Sequence, residues 1–461
     1  MTIWRPDPST LKRPVYASLA EQIARAIGEG ALPEGAQLPV QRKLADELGV
    51  AVQTVSRAYE ELTRRGLVAG ETGRGTFVRA VRREPEPPYL PERLTELIDL
   101  SILKPVCEPL HLDRMKEALG RLAQDVPASA ILSFRPNVVF PRHRAVAAEW
   151  LATCGVAASP LNITVTNGAT AAQTIALMSV APPGSAIATE AIGHHTLTPL
   201  ASYLGLKLVG IAVDDEGMIP EALDEAAVEH DLRAAFVQPS VINPCASLMG
   251  EARRAALAAV ARRRDLALVE NDVLGPLIAR RPPPLAQIAP ERTLYVTTFT
   301  KTVMPGLRIG YLAVPDRYVA AAANRHLVTM WMATPVMAEI ASRWVADGTA
   351  AALVDWQREA LHARHRIVAE ALAGVAYRSH PESLHVWAPL PPTHSESAFV
   401  SQARAQGVAI APGQSFRIGD ALAAPAVRIS LGSTEADELR IGLRQIAHLV
   451  HAGAEPVLLA I

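Results

Sequence analysis

From about residue 96 onwards, short apolar segments alternate with longer Ala-rich segments that have helical spacing. Short apolar runs bounded by turn residues are typical of buried strands. A strand, a helix and a further strand form the repeating unit of a parallel sheet, so this alternation predicts an α/β fold. We predict strands over residues 163–166, 185–189, 234–238, 267–270 and 293–298, followed by an α+β portion from about 350 to 455.

The N-terminal segment has a different pattern. Apolar residues recur every fourth position in residues 15–27, which predicts a helix with one apolar face. Two more helices are predicted over residues 41–48 and 52–65, separated by a turn that contains Gly49. Two β-prone pieces within residues 67–78 follow them and predict a hairpin. A helix-turn-helix followed by a hairpin is a winged helix.

A charged, Pro-rich stretch separates these two patterns. Four prolines between residues 79 and 95 disfavour both helix and sheet, which predicts an extended linker. The expected organisation is a winged helix-turn-helix over residues 1–79, a linker over 80–95 and a large domain over 96–461.

Charge and cysteine content exclude several classes of protein. The net charge is −1, so the chain as a whole is not a bulk binder of nucleic acid. Residues 1–83 nevertheless carry 13 Lys and Arg against 9 Asp and Glu, which fits a local DNA-binding module. The three cysteines lie far apart, and we expect neither a disulfide framework nor a metal site. The sequence has no apolar leader and no long apolar run, so we expect a cytoplasmic protein.

The second helix of the helix-turn-helix has the residues that a recognition helix needs. Small and polar side chains at its N-terminal end can reach base edges in the major groove. A cation between two glycines at the tip of the hairpin can enter a minor groove. The candidates for DNA contact are Gln53, Thr54 and Arg57 on the recognition helix, Arg42 and Lys43 on the helix before it, and Arg74 at the hairpin tip.

Four motifs in the large domain have residues suited to chemistry. Lys301 follows a β-rich run and Arg308 lies close behind it, which suits a desolvated amine beside a phosphate-binding cation. Gly168 stands between a strand and an Ala-rich helix, where free amides bind anions. The other two motifs are Asn243-Pro244 after one strand and Glu270-Asn271-Asp272 at the end of another.

Both parts of the chain resemble known families. The N-terminal segment resembles the GntR-type winged helix, with the motifs TVSRAYEEL, RRGLV and GRGTFV. The four motifs of the large domain, in their order, resemble those of the fold-type-I aminotransferases, which use pyridoxal 5′-phosphate (PLP). A winged helix fused to such a domain is similar to the MocR (GabR-like) branch of the GntR family.

The resemblance implies a role for each matching residue. Lys301 would form the internal aldimine with PLP, and Arg428 would bind a substrate carboxylate. Asn243 would contact the ring hydroxyl oxygen. The phosphate would be bound by Arg308 with Gly168, Ala169 and Thr170, and Thr298 and Thr300 are further candidates.

The sequence departs from the family pattern in two segments. Asp272 is the candidate for the pyridine nitrogen, although a shift of one residue would place Asn271 there. The family's following Tyr is replaced by Val273 or Leu274. His194 takes the place of the aromatic residue over the ring, with a buried structural histidine as the alternative. These changes weaken the electron-withdrawing role of the ring and favour a sensor with poor turnover.

The resemblance therefore implies a cytoplasmic transcriptional regulator that binds an operator in double-stranded DNA, rather than an enzyme in its own right. Its large domain would bind PLP and detect an amine, an amino acid or PLP itself, in a homodimer. One alternative is a working PLP-dependent aminotransferase with a vestigial winged helix. Another is a DNA-binding protein whose large domain is only a dimerisation scaffold.

Overall fold

A computed structural model describes most of the chain. The described residues are 4–33, 35–65, 67–71, 75–78, 97–136, 140–392, 394–419 and 424–452. The chain divides into two compact units, Met1–Arg93 and Leu94–Ile461. The predicted linker, 80–95, lies outside the described residues.

The first unit is a winged helix. Its elements are α1 (Val15–Gly28), α2 (Gln41–Leu48), α3 (Val52–Arg64), β1 (Val68–Glu71) and β2 (Gly75–Val78). β1 and β2 pair antiparallel. Leu19, Ile23 and Ile27 of α1 are buried with Val55 and Leu62 of α3 in a shared core, while Val15 at the start of the helix is half-buried. Gly49 ends α2 in the left-handed conformation (φ 64°), which favours glycine and permits the tight turn into α3.

In its described residues, the second unit opens with β3 (Ile98–Asp99) and several helices, which lead into a region of alternating strands and helices. These elements are α4 (Pro109–Asp125), α5 (Ala128–Leu132), α6 (Pro141–Thr153), β4 (Ile163–Thr166), α7 (Ala169–Val180), β5 (Ala186–Glu190), α8 (Leu197–Tyr203), β6 (Lys207–Ile211), β7 (Val213–Asp214), β8 (Gly217–Met218), α9 (Pro220–Glu229), β9 (Leu232–Val237), α10 (Glu251–Arg263), β10 (Ala267–Asn271), α11 (Leu285–Ile288), β11 (Thr293–Thr298) and β12 (Gly310–Ala313).

The C-terminal part of this unit is mostly helical and contains a small sheet. Its elements are α12 (Val319–Met330), α13 (Pro335–Ala346), α14 (Thr349–Ala371), β13 (His385–Pro389), α15 (Glu396–Ala405), β14 (Val408–Ala409), β15 (Ala411–Pro412), β16 (Ala426–Ser430) and α16 (Ala436–Ala452). Short 3-10 turns lie at Pro8–Thr10, Pro160–Asn162, Gly275–Leu277, Pro305–Leu307, Asp316–Tyr318 and Gly413–Phe416.

A seven-stranded sheet forms the centre of the second unit. Its strand order is β4-β12-β11-β10-β9-β5-β6, and β12 runs antiparallel to both of its neighbours. The pairs β11-β10, β10-β9, β9-β5 and β5-β6 are parallel. The predicted α/β fold with a mostly parallel sheet is thus confirmed, and each predicted strand lies within two residues of an observed one.

Apolar clusters lie on both faces of this sheet. On one face, Phe236 and Val269 pack with Ala172 and Ala176 of α7. On the other face, Leu268 packs with Leu257 of α10. Near the C-terminus, β13, β16 and β15 form a small antiparallel sheet, and β14 pairs with β3. Among the described residues, no helix is both long enough and apolar enough to cross a membrane.

Candidate functional site

The N-terminus of α7 and Arg308 form an anion-binding corner. Gly168 precedes α7 with φ 87°, a backbone conformation that residues other than glycine rarely adopt. A Cβ atom at this position would lie 3.1 Å from Nη2 of Arg308, so glycine lets the guanidinium approach the backbone. Ala169 and Thr170 begin the helix, whose first amides have no partner within it. A cation beside a helix N-terminus is suited to a phosphate.

Lys301 lies in the turn that follows β11, close to this corner. Its Nζ donates a hydrogen bond to the carbonyl oxygen of Leu103. Burial, with the positive charges of Arg428 and Arg308, lowers the pKa of Lys301 to about 8. Thr298, at the end of β11, donates to the carbonyl oxygen of Ile309 at 2.8 Å and fixes this turn. The lysine is therefore a partly neutral amine near pH 7, as a nucleophile requires.

Thr298 and Thr300 bond to each other beside the lysine. Thr298 Oγ1 lies 3.0 Å from Thr300 Oγ1, and both residues are buried. Their hydroxyl groups are thus part of the turn that positions Lys301, and a role in binding phosphate stays a prediction.

Arg428 and Asn243 meet near Lys301. Nη1 of Arg428 donates to Oδ1 of Asn243 at 3.0 Å. Nη2 of Arg428 donates to the carbonyl oxygen of Ser101, and its guanidinium lies 5.0 Å from the centre of the Phe416 ring. Both Arg428 and Asn243 are buried. A buried, oriented guanidinium is suited to a carboxylate.

Two neighbouring histidines complete the surroundings of the lysine. The rings of His194 and His195 are stacked, with 5.4 Å between their centres. Thr196 Oγ1 lies 2.7 Å from Nδ1 of His194. Burial, with the charges of His195, Lys301 and Arg428, lowers the pKa of His194 to about 3. His194 is therefore a neutral, flat ring at pH 7, which suits stacking on a cofactor ring.

Asn271 and Asp272 point to opposite faces of the central sheet. Asn271 pairs with Val296 in the register of β10 and β11 and receives a hydrogen bond at 3.0 Å from Nε2 of Gln173 on α7. This is the face on which Phe236 packs, and His194 contacts Phe236 edge to face. The geometry thus favours Asn271, the alternative in the sequence, over Asp272 as the residue nearest a cofactor ring.

Asp272 has buried partners of its own. Tyr295 donates to its Oδ2 at 2.6 Å, and Nη1 of Arg281 donates to the same oxygen. Both carboxylate oxygens lie beside Gly275. Burial raises the pKa of Asp272, but the charge of Arg281 and the bond from Tyr295 outweigh it and hold the pKa below its usual value. Asp272 therefore fits a structural ion pair, which argues against the predicted contact with a pyridine nitrogen.

Several residues of the site were not identified from the sequence. Ser101 and Leu103 contribute carbonyl oxygens from an irregular segment far from the motifs, and no local pattern marks them. Gln173 and Phe416 were also missed. One feature of the sequence could have indicated Gln173: it is a polar residue among the small apolar residues that form the buried face of an Ala-rich helix.

The recognition helix of the first unit is exposed where base contacts are expected. Gln53 and Arg57 are exposed and Thr54 is half-buried, while Val55 and Tyr59 are buried. The Arg57 guanidinium lies 4.2 Å from the centre of the Tyr16 ring. Arg42 and Lys43 are exposed at the start of α2.

Ion pairs divide the cations of this unit into two groups. Arg64 and Arg65 bind Glu61 at 2.7 and 2.8 Å. Within the described part of the chain, no carboxylate pairs with Arg42, Lys43 or Arg57, so these cations are available to phosphate or bases. Arg74, the predicted hairpin-tip contact, lies outside the described residues.

Arg57→Ala is expected to weaken binding to a selected operator by about 1–3 kcal/mol, because a bidentate contact to a base is lost. Arg57→Lys keeps the positive charge and should recover only the part of the binding free energy that depends on salt. Arg64→Ala, on the same helix but already paired with Glu61, serves as the control. Fluorescence anisotropy over a series of salt concentrations measures both effects. An unchanged affinity for Arg57→Ala would remove this residue from the interface.

Family comparisons agree with both parts of the structure. Residues 112–446 match the family described as aminotransferase class I and II. Residues 15–78 match the family described as bacterial regulatory proteins, gntR family. The chain therefore belongs to the aminotransferase class I and II family and has a GntR-type winged helix before that domain. The resemblance to MocR-type transcriptional regulators is confirmed.

Relatives share this two-part organisation or one part of it. The chain is 27% identical over 454 residues to the uncharacterized HTH-type transcriptional regulator YdeF of Bacillus subtilis, covering 97% of this chain and 96% of that one. It is 29% identical to the HTH-type pyridoxine biosynthesis transcriptional regulator PdxR of Corynebacterium glutamicum, covering 65% and 66%. An archaeal alanine:glyoxylate aminotransferase has a similar fold, with a TM-score of 0.71 and 21% identity. The match covers 77% of this chain and 91% of that one.

Proposed function

We propose that the large unit of this transcriptional regulator binds PLP at Lys301 and uses it to detect an amine, an amino acid or PLP itself. The observation that carries the proposal is that Lys301 lies close to two arginines, Arg308 and Arg428. Burial and these two charges lower the pKa of Lys301. PLP, when bound, supplies an aldehyde that amines attack reversibly. DNA binding by the first unit would then respond to the occupant of this site.

The side chains present fit this cofactor. Arg308 and the N-terminus of α7 match a phosphate dianion. Asn271 has a buried Nδ2 group for which the described residues contain no partner, as expected where a ring completes the site. The neutral ring of His194 provides a flat face. Lys301, with its pKa near 8, provides the amine that would hold the aldehyde.

Arg428 indicates the class of effector. A buried guanidinium held by Asn243 and Ser101 is positioned for a carboxylate, which favours an amino acid over a simple amine. A working aminotransferase has an acid that keeps the ring nitrogen protonated, and among the described residues Asn271 takes the place of that acid on this face. We therefore favour a sensor over an aminotransferase, and sustained amino transfer over many turnovers would contradict that choice.

Arg428→Gln is expected to remove the preference for carboxylates. In the wild-type protein loaded with PLP, some standard amino acids should change the visible spectrum at lower concentration than their decarboxylated amines. A charge-assisted hydrogen bond contributes about 1.5–3 kcal/mol, so its loss in the variant should raise the amino-acid concentration needed for the spectral change by roughly tenfold or more. The response to the amines should stay the same. Arg440→Gln, on the exposed face of α16, is the control.

Equal responses to amino acids and amines in the wild type would contradict the role of Arg428. So would an Arg428→Gln variant that keeps the full preference. An amine response lost together with the amino-acid response would mean that the variant no longer holds PLP, which the spectrum before titration reveals.

A homodimer is also part of the proposal. Leu132, Phe134, Val328 and Trp331 are apolar side chains exposed on the second unit. Phe134 and Trp331 stack with ring centres 5.0 Å apart, so these two rings form a small apolar surface that a second copy could cover. Two recognition helices in one dimer would read two half-sites. Sedimentation velocity tests this assembly.

A further inference from the structure

We infer that Gln173 and Asn271 together form a neutral hydrogen-bond donor for the pyridine nitrogen of the cofactor and hold that nitrogen without a proton. The inference rests on the proposed binding of PLP at Lys301. It assigns a positioning role to Gln173, which acts on the ligand only through Asn271.

The two amides are buried together at the carboxyl end of β10. Each residue is 2% exposed. Gln173 lies on α7, the same helix whose N-terminus forms the anion-binding corner. Its Nε2 donates to Oδ1 of Asn271 at 3.0 Å. Because Oδ1 is occupied in this way, the group that Asn271 has left to offer is its Nδ2 donor.

That donor needs an acceptor. Nδ2 of Asn271 is buried and has no hydrogen-bond partner among the described residues. A buried donor left without a partner costs about 1–3 kcal/mol, so a ligand that brings an acceptor is favoured. An unprotonated pyridine nitrogen is an acceptor. A protonated one is a donor, which would face Nδ2 with no lone pair between them.

The nearby carboxylates do not change this assignment. Asp272 lies on the opposite face, bound by Arg281 and Tyr295, and its second oxygen lies beside Gly275. Glu270 is also on that face and accepts from the backbone amides of Leu285 and Ala286 at 2.9 and 2.8 Å. Neither acid therefore provides the negative charge that keeps a pyridine nitrogen protonated.

The consequence concerns what the site can do. An uncharged ring withdraws electrons weakly, so loss of the α-proton from a bound amino acid would be slow. Exchange of one amine for another at the aldehyde carbon does not depend on that charge to the same degree. The Gln173–Asn271 pair thus favours reversible detection of an effector over its chemical conversion.

The test is the 15N chemical shift of the ring nitrogen in protein loaded with PLP labelled at that atom, because protonated and unprotonated pyridines differ widely in this shift. The wild type is expected to show the unprotonated value from mildly acidic to mildly alkaline pH. Asn271→Asp is expected to move the shift to the protonated value. Gln173→Leu, which frees the Asn271 amide to rotate, is expected to give a shift that changes with pH.

Thr174→Val is the matched control, since the hydroxyl of this neighbour on α7 donates to the carbonyl oxygen of Thr170 in its own helix and has no other partner among the described residues. Its shift should equal that of the wild type. A protonated nitrogen in the wild type, with PLP attached, would overturn this inference and leave the proposed function intact. A Gln173→Leu shift that equals the wild-type value at every pH would overturn the role of Gln173. Protein that takes up no PLP would refute both proposals.

Discussion

Lys301→Ala is expected to abolish the visible absorption band that attached PLP gives to the wild-type protein. The band depends on a covalent bond to an amine, and Lys301 is the half-buried lysine whose pKa falls to about 8 between Arg428 and Arg308. The anion-binding corner at Gly168 and Arg308 is left intact by this change. The variant should therefore still bind PLP without a covalent bond, more weakly and with the spectrum of the free aldehyde.

Lys207→Ala is the control for this experiment, because Lys207 is an exposed lysine on β6. Its spectrum should match that of the wild type. Borohydride reduction followed by mass spectrometry of peptides gives a second readout, with the label on the peptide that contains Lys301. A label on another lysine, or a band that persists in Lys301→Ala, would show that the site has been assigned to the wrong residue.

Asp272→Ala is expected to destabilise the second unit by about 3–5 kcal/mol. The substitution leaves the Arg281 guanidinium buried without its counter-ion, and it removes the acceptor of the Tyr295 hydroxyl. Side chains of both ion-pair partners are almost fully buried, at 9% and 0% exposure, so solvent cannot replace the lost charge. Urea unfolding followed by tryptophan fluorescence measures the effect, because five of the six tryptophans lie in the second unit.

Asp437→Ala provides the comparison, since Asp437 forms an exposed pair with Arg440 on α16. Its effect should be at most about 1 kcal/mol. If Asp272→Ala folds and binds PLP, its visible spectrum should match the wild type, because Asp272 faces away from the cofactor side of the sheet. Unaltered stability combined with an altered spectrum would instead place Asp272 against the ring.

Much of the fold could be predicted because local patterns agree with the tertiary structure. The apolar spacing in α1 and the glycine after α2 are local signals, each contained within a few turns of helix. Both features lie at the residues predicted from the sequence. Five of the seven strands of the central sheet were also predicted, since buried strands are continuous apolar runs, whereas β6 and β12 were not. The resemblance of the motifs to known families then supplied the overall architecture.

The site was harder to predict because its details depend on register and on distant segments. Neighbouring residues of a strand point to opposite faces, so a choice between Asn271 and Asp272 requires the pairing of β10 with β11. Gln173 joins the site only because α7 packs on that same face. Ser101 and Leu103 reach it from an irregular segment, where no periodicity indicates which carbonyl oxygens point inward.

Regulation through the cofactor site is tested by measuring the affinity for DNA as a function of occupancy at Lys301. The probe is a genomic fragment selected by the wild-type protein itself, and binding is followed by fluorescence anisotropy at fixed salt. We expect PLP, or PLP with an effective amino acid, to change the affinity of the wild type and of Lys207→Ala but not that of Lys301→Ala. Equal affinities in all these states would contradict this expectation, and the large unit would then be a scaffold for dimerisation.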